Sequence, residues 1–88
     1  MSRSKLEICV DILKALAQRP LKLTHIMCKA NINCSTLSEY IEFLLKQGLI
    51  EKRTLKKNKI VYAITQHGLI TLKSFREIQQ ELPIRKEK

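Results

Sequence analysis

Apolar residues in the first half of the chain recur at spacings of three and four, which is the period of an amphipathic α-helix. A first helix is predicted to begin after Ser4, because Ser4 and Glu7 form an S-x-x-E capping box immediately ahead of an apolar run. The helix is predicted to end near Gln18, since Arg19-Pro20 follows and proline does not continue a helix.

The predicted first helix carries more apolar surface than one core contact requires. Its polar residues form one narrow stripe, and apolar residues occupy nearly two faces, with Ile8, Ile12 and Ala15 on the second. That second face could be covered by a second copy of the chain or by the last helix of the same chain. We expect the second copy, and therefore a homodimer.

Two further helices separated by a tight turn are predicted next. The second helix covers residues 25–30 with Thr24 as its N-cap, and Asn31-Ile32-Asn33 has the composition of a turn. The third helix begins between Asn33 and Thr36, because either side chain could cap it. Gly48 is predicted to close this helix.

The period then changes from helical to alternating. Residues 49–54 and 59–65 are predicted to be strands, the second of them rich in residues that favour β-structure. The two strands form a hairpin with its tip near Lys57-Asn58, and we expect Leu55 to contact Ile60 across it.

A final helix is predicted over residues 66–82, with Thr65 as its cap and Pro83 as its end. Residues 1–82 are therefore expected to form one domain that includes this C-terminal helix. Residues 83–88 are expected to be a frayed basic tail.

Charge is concentrated in the predicted hairpin. The 88 residues carry a formal net charge of +9, and residues 51–88 hold ten Lys and Arg against four Asp and Glu. Five of these cations lie close together, at Lys52, Arg53, Lys56, Lys57 and Lys59. Such a surplus causes self-repulsion in the folded state and usually serves an anionic partner. Nucleic acid is the first expectation and an acidic membrane surface the second.

Composition argues against several classes of protein. At 44% apolar and 28% charged residues the chain is globular, and its apolar runs are far shorter than the ~20 residues of a membrane helix. We expect a cytoplasmic, chromosome-associated protein that does not bind membranes. No phosphate-binding glycine loop or cleft-like pair of carboxylates occurs in the sequence, so we expect neither an enzyme nor a cofactor.

The cysteines do not indicate a metal site. Cys9, Cys28 and Cys34 are expected to be reduced, buried, small apolar residues. His25-x-x-Cys28 with Cys34 nearby provides three ligands, whereas a structural zinc ion requires four. We therefore expect no bound metal.

The order of predicted elements is that of a winged helix-turn-helix. The fold is expected to be α+β and mainly helical, with three helices, a two-stranded wing and a C-terminal helix. In this arrangement the third helix, about residues 34–47, enters the major groove of double-stranded DNA. The wing, residues 52–59, lies on the phosphate backbone or in the minor groove. An RNA-binding winged helix and a protein–protein adaptor are the alternatives, because the fold alone does not decide among them.

Four stretches resemble the small archaeal winged-helix DNA-binding proteins, whose best-known members are the ten-kilodalton chromatin proteins of Sulfolobus. They are SKLEI, THIMCKAN, LSEYIEFLLKQGLI and VYAITQHG. The resemblance implies DNA binding and dimerisation through the last helix, which forms a long antiparallel coiled coil in the Sulfolobus type. Pro83 departs from that pattern, because it stops the predicted helix after about four and a half turns.

The predicted DNA contacts are the wing cations and the exposed start of the third helix, with two cations at the start of the first helix. They are Lys52, Arg53, Lys56, Lys57, Lys59, Ser35, Thr36, Ser38, Glu39, Arg3 and Lys5. Lys22 and Lys29 are secondary expectations. Glu39 and Glu42 would repel phosphates, so sequence specificity is expected to be low or narrow. The predicted dimer interface consists of Ile8, Ile12, Leu72, Phe75, Ile78 and Leu82.

Overall fold

A computed structural model describes residues 3–81 of the chain, with side-chain environments for residues 3–78. The elements are α1 (Lys5–Gln18), α2 (Leu23–Ala30), α3 (Cys34–Lys46), β1 (Ile50–Thr54), β2 (Ile60–Ile64) and α4 (Gln66–Glu81). This order confirms the predicted α+β, mainly helical winged helix-turn-helix. Leu82, Pro83 and the predicted basic tail lie outside the described residues. Among the described helices, none is both long and apolar enough to cross a bilayer.

Side-chain caps set the start of α1 and α3 as the sequence predicts. The Ser4 hydroxyl accepts from the Glu7 amide at 3.1 Å, and the Glu7 carboxylate accepts from the Ser4 amide at 2.9 Å. At α3 the cap is Asn33, whose side-chain oxygen accepts from the Thr36 amide at 2.8 Å. Thr36, the other candidate, is therefore not the cap of this helix.

The start of α2 is earlier than predicted. Lys22, in extended backbone and without a side-chain cap, precedes the first helical residue, and its carbonyl accepts from His25 and Ile26 at 3.0 and 3.1 Å. Thr24 thus lies inside the helix. The helix ends at Ala30, and the left-handed backbone of its C-cap Asn31 (φ 57°) confirms the predicted turn.

Gly48 closes α3 in a Schellman motif. The Gly48 amide donates to the Leu45 carbonyl and the Leu49 amide to the Leu44 carbonyl, both at 3.0 Å. Gly48 has φ of 74°, a left-handed conformation that glycine adopts without a steric penalty.

The hairpin pairs antiparallel, with Ile50 opposite Ile64 and Thr54 opposite Ile60. Leu21 extends this sheet on the other side of β2, because its amide and carbonyl both bond to the backbone of Tyr62, at 3.0 and 2.8 Å. Successive side chains of a strand alternate between faces. Ile50, Tyr62 and Ile64 therefore share the face that packs against the helices. Arg53, Lys59 and Val61 share the opposite face, called here the outer face.

The core is built around α1, which contacts α2, α4 and β2. Ile12 is fully buried and Leu72 is only 3% exposed within the single chain. Ile12 and Leu72, which were predicted to lie in a dimer interface, therefore belong to the core of the single chain. Elements of the same chain surround α1 on more than one side and bury Ile12 and Ala15. Ile8 and Phe75 are half-buried against the same core.

Candidate nucleic-acid interface

The hairpin projects its cationic tip away from the core. All residues from 51 to 60 are exposed. The Lys59 amide donates to the Lys56 carbonyl at 3.2 Å, and Lys57 and Asn58 both have positive φ, 44° and 64°. Positive φ at both central positions defines a type I′ turn, whose twist matches that of the two strands. The tip is therefore a defined turn that presents three lysines to solvent.

The wing cations differ in what surrounds them. Arg53 forms an ion pair with Glu51 on the same strand, with both nitrogen–oxygen distances at 2.8 Å. A phosphate must compete with Glu51 for that guanidinium, whereas no ion pair within the described residues involves the tip lysines Lys56, Lys57 and Lys59. The tip is accordingly the part of the wing most ready to meet an anion.

The predicted contact between Leu55 and Ile60 is wrong. Ile60 pairs with Thr54, and the Leu55 amide donates to the carbonyl of Lys59. Alternation along the strands then places Leu55 and Ile60 on opposite faces of the hairpin. Both side chains are largely exposed, at 50% and 42%.

The α3 helix buries one side and exposes a mixed polar surface. Leu37, Ile41 and Leu44 are buried, while Ser35, Ser38, Glu39 and Glu42 are exposed. Thr36 is half-buried and lines an open cleft of about 400 Å³ together with Lys5 and Glu39. Within the described part of the chain no ion pair neutralises Glu39 or Glu42. The middle of the exposed face of α3 is therefore acidic.

Hydrogen bonds to the cap residue Asn33 already occupy part of the first turn of α3. The Thr36 amide is taken by the Asn33 side-chain oxygen, and the Ser35 hydroxyl donates to the same oxygen at 3.1 Å. A phosphate at this terminus would have to displace or bypass that cap. The hydroxyls of Ser35 and Ser38 nevertheless stay on the exposed surface.

Arg3 is engaged within the chain. Its guanidinium pairs with Asp11 and also donates to the carbonyls of Ala30 and Asn31 at the end of α2. A cation at the C-terminus of a helix satisfies free carbonyls and complements the helix dipole. Arg3 thus ties the start of α1 to the end of α2 and is a poor candidate for a phosphate contact. Lys5, the first residue of α1, remains exposed.

A second group of basic residues lies where the end of α1 meets the start of α2. Arg19, Lys22, His25 and Lys29 line an open cleft of about 420 Å³ with Pro20, Leu21 and Val61, called here the basic cleft. Lys22 and Lys29 were expected to be secondary contacts. The participation of Arg19 and His25 was missed, because only the pairing of Leu21 with Tyr62 brings these residues beside β2.

The cysteines are less buried than predicted. Cys28 and Cys34 are exposed, and only Cys9 is half-buried. Desolvation by burial raises the pKa of the Cys9 thiol above its usual value, so its neutral form is favoured. All three thiols are free, and no cluster of three or more metal-ligating side chains occurs within the described residues.

Comparison with known proteins identifies the family. Residues 2–82 match the family described as winged helix-turn-helix. The chain belongs to this winged helix-turn-helix family. In its terms α2 and α3 form the turn motif, and the β1–β2 hairpin is the wing.

Relatives of this winged helix-turn-helix chain include archaeal proteins. It is 35% identical over 78 residues to the uncharacterised protein MJ0290 of Methanocaldococcus jannaschii, covering 89% of this chain and 35% of that protein. The chain thus spans about a third of the length of that relative. The resemblance to small archaeal winged-helix proteins is confirmed.

Two solved structures share the fold along most of the chain. Sso10a-2, a DNA-binding protein from Sulfolobus solfataricus, matches with a TM-score of 0.74 and 26% identity, covering 96% of this chain and 90% of that one. The homodimeric winged helix-turn-helix DNA-binding domain of Mb0332 from Mycobacterium bovis, a possible ArsR-family transcriptional regulator, matches with a TM-score of 0.76. That similarity is at 22% identity and covers 88% of this chain and 71% of the other.

Proposed function

We propose that this protein binds double-stranded DNA as a homodimer, as a transcription regulator or a chromosome-associated protein. The α3 helix lies in the major groove, and the wing lies on the phosphate backbone or in the minor groove. Binding is tolerant of sequence or narrowly specific, because the exposed face of α3 carries two carboxylates and few groups that read base edges.

The observation that carries this proposal is the wing tip. Lys56, Lys57 and Lys59 stand on a tight turn beyond the core, exposed and without a carboxylate partner in the described residues. Lysines that neutralise phosphates release condensed counterions, which is a major source of affinity for DNA. The side chains of this turn pack against no core, so their concentrated positive charge is explained by binding to an anion.

The similar proteins support the same conclusion. Sso10a-2 is described as a DNA-binding protein, and the Mb0332 domain as a homodimeric DNA-binding domain. Similarity in fold does not by itself establish a shared function, so the proposal depends on the charges of this chain's own wing.

The proposed DNA contacts follow from exposure and charge. The wing supplies Lys52, Arg53, Lys56, Lys57 and Lys59, with Arg53 available once Glu51 is displaced. The α3 helix supplies Ser35 and Ser38, with Thr36 and Glu39 at its edge beside Lys5. Arg3 is not included, because Asp11 and the carboxyl end of α2 hold it.

The proposed dimer surface is the exposed apolar area between α1, α3 and α4. Leu6, Phe43 and Phe75 line a common apolar cavity of about 130 Å³. Leu6 is 57% exposed, Phe43 50%, and Ile78, one turn after Phe75, is 58% exposed. Ile12 and Leu72 belong to the core beneath, Ile8 and Phe75 form its edge, and Leu82 lies outside the described residues.

The test of DNA binding is a titration of duplex DNA at several salt concentrations, with Lys56, Lys57 and Lys59 replaced together by Ala. If all three touch phosphate, the slope of log affinity against log salt should fall by roughly 0.9 for each lost contact in each subunit. The matched control replaces Lys14, Lys73 and Arg76, three exposed cations of α1 and α4. An equal fall in both triple variants would show that only net charge matters and that the wing is not on the DNA.

Parallel titrations of duplex RNA and single strands at matched salt test the RNA-binding alternative. Tighter binding of either one than of duplex DNA would favour it, and no binding of any nucleic acid would favour an adaptor. Selection from a random duplex pool then separates a regulator, which yields a motif, from an architectural protein, which yields none.

A further inference from the structure

The basic cleft has an apolar floor and cationic walls. Pro20 and the side chain of Val61, which is 8% exposed, form part of the floor, and Arg19, Lys22, His25 and Lys29 surround it. All four basic residues are exposed, so their polar ends can reach an anion in the cleft. Long cationic side chains commonly cover apolar surface while their charged ends stay in water.

The cleft is continuous with the wing. Val61 pairs with Arg53 across the hairpin, and Lys59 is two residues before Val61 on the same outer face. Arg53 and Lys59 therefore connect the cleft along the sheet to the lysines of the tip. The exposed face of α3, in contrast, carries the carboxylates of Glu39 and Glu42.

No carboxylate among the described side chains lines the basic cleft. The nearby acids are Asp11, which shares a neighbouring cleft with Lys29 and is paired with Arg3, and Glu51, which is paired with Arg53. Besides His25 and Lys29, the titratable group of α2 is the exposed thiol of Cys28. Among the basic residues that line the cleft, His25 is the one whose side chain exists either as a neutral base or as a cation.

We propose that the basic cleft binds the phosphodiester backbone of duplex DNA in addition to the contacts of α3 and the wing tip, and that DNA binding is linked to protonation of His25. This inference rests on the proposed function and extends it to a second surface. A phosphate beside the imidazole favours the charged imidazolium, so DNA binding takes up a proton. Affinity gained from His25 is present at low pH and is lost as pH rises.

Four variants separate this cleft from the wing. The double variant Lys22→Ala with Lys29→Ala removes two cleft charges, and Lys73→Ala with Arg76→Ala removes two exposed charges of α4. His25→Gln makes the position permanently neutral, and His25→Lys makes it permanently charged. His67→Gln is the matched control, because His67 is also exposed but lies on α4 outside the cleft.

The measurement is the salt dependence of duplex DNA binding at about pH 6 and about pH 8. These values lie on either side of the pKa of ~6.5 of a histidine side chain in a model peptide. The wild-type slope is expected to be steeper at the lower pH by roughly 0.9 per subunit. His25→Gln should show the shallow slope at both pH values and His25→Lys the steep one, while His67→Gln follows the wild type. The cleft double variant should lose roughly 0.9 of slope per lost contact, and its control should not.

A wild-type slope that does not change with pH, or a pH dependence that survives in His25→Gln, overturns the inference and leaves the wing result intact. An unchanged slope in the cleft double variant also overturns it. Cleft variants that weaken binding of duplex RNA but not of duplex DNA overturn the assignment to DNA. If the wild-type protein does not bind duplex DNA even at low salt, the proposed function itself fails, which the wing titration shows separately.

Discussion

At the scale of single residues, the two glycines of the chain serve different physical needs. Gly48 needs conformational freedom, because its φ is 74° and a Cβ there would meet nothing within 4 Å. Gly68 needs space, because a Cβ would lie 2.1 Å from the Leu49 carbonyl oxygen and 2.7 Å from Ile64 Cγ1. The same carbonyl accepts from the Thr65 amide at 3.0 Å, so the start of α4 is bound closely to the start of the hairpin.

Replacing each glycine by alanine should separate these two costs. Gly48→Ala is expected to lower the free energy of unfolding by about 1–2 kcal/mol, the cost of a left-handed alanine. Gly68→Ala should cost more, because backbone atoms must move apart and overpacking alone costs about 1–3 kcal/mol. Urea unfolding of both variants measures the difference. Equal losses would mean that α4 shifts freely over the hairpin and that the close approach at Gly68 is not maintained.

The role of Gly48 can be predicted from the sequence, whereas the role of Gly68 cannot. Gly48 follows an apolar helical pattern, and the rule that glycine closes helices is local. The collision at Gly68 involves Leu49 and Ile64, which reach it only through the tertiary fold. Thr65 was a predictable cap, and its hydroxyl accepts from the Gly68 amide at 3.0 Å. Its second bond, donated to the Gly48 carbonyl at 2.7 Å, is again non-local.

At the scale of elements, the start of α2 shows why a boundary can be missed. The side chains of Ser4 and Asn33 cap α1 and α3, and both capping residues can be predicted from the sequence. Lys22 has no capping side chain. The chain is instead fixed by the two backbone bonds between Leu21 and Tyr62, and the helix begins directly afterwards. The same long-range pairing brings the residues of the basic cleft together. Neither the start of α2 nor the cleft could therefore be predicted from the local sequence.

The acidic surface of α3 leads to a prediction about specificity. Glu39→Gln with Glu42→Gln is expected to raise affinity for duplex DNA, because exposed carboxylates without a paired cation repel phosphates. If either carboxylate instead accepts from a cytosine amino group, its loss should relax preference at one base pair by ~1–3 kcal/mol. Titration of selected and scrambled duplexes measures both effects.

The control for this prediction is Glu77→Gln, which removes an exposed carboxylate from α4. A similar gain of affinity in the control would show that only the overall charge of the protein matters. A loss of affinity in the α3 variant without any change of preference would contradict both accounts of these residues.

At the scale of the whole molecule, the apolar pattern of α1 has two possible explanations that sequence cannot separate. The second apolar stripe could face another copy or another part of the same chain, and both give the same periodicity. The structure shows that Ile12 and Ala15 are buried within one chain. The exposed apolar side chains include Leu6, Phe43 and Ile78, which come from three different helices and form no pattern along the sequence.

That distributed surface gives a prediction about oligomeric state. Leu6→Asp and Ile78→Asp should each convert a dimer into a folded monomer, because both side chains are more than half exposed in the single chain. Leu6 lines the cavity shared by α1, α3 and α4, and Ile78 lies one turn after Phe75, which also lines it. Each apolar side chain of this size contributes ~1.5–3 kcal/mol when fully buried, so a buried Asp there opposes association. Sedimentation at tens of micromolar measures mass, and circular dichroism verifies folding.

Two variants on the same helices decide what a negative result means. Ile70→Asp is the matched control, since Ile70 is 55% exposed on α4 but does not line the shared cavity, and it should remain dimeric. Ile12→Asp should unfold, because Ile12 is fully buried. Loss of the dimer should also make the salt dependence of DNA binding shallower, since one subunit supplies half of the phosphate contacts. A wild-type protein that sediments as a monomer and still binds duplex DNA tightly would refute the dimer, and the apolar surface would then need another partner.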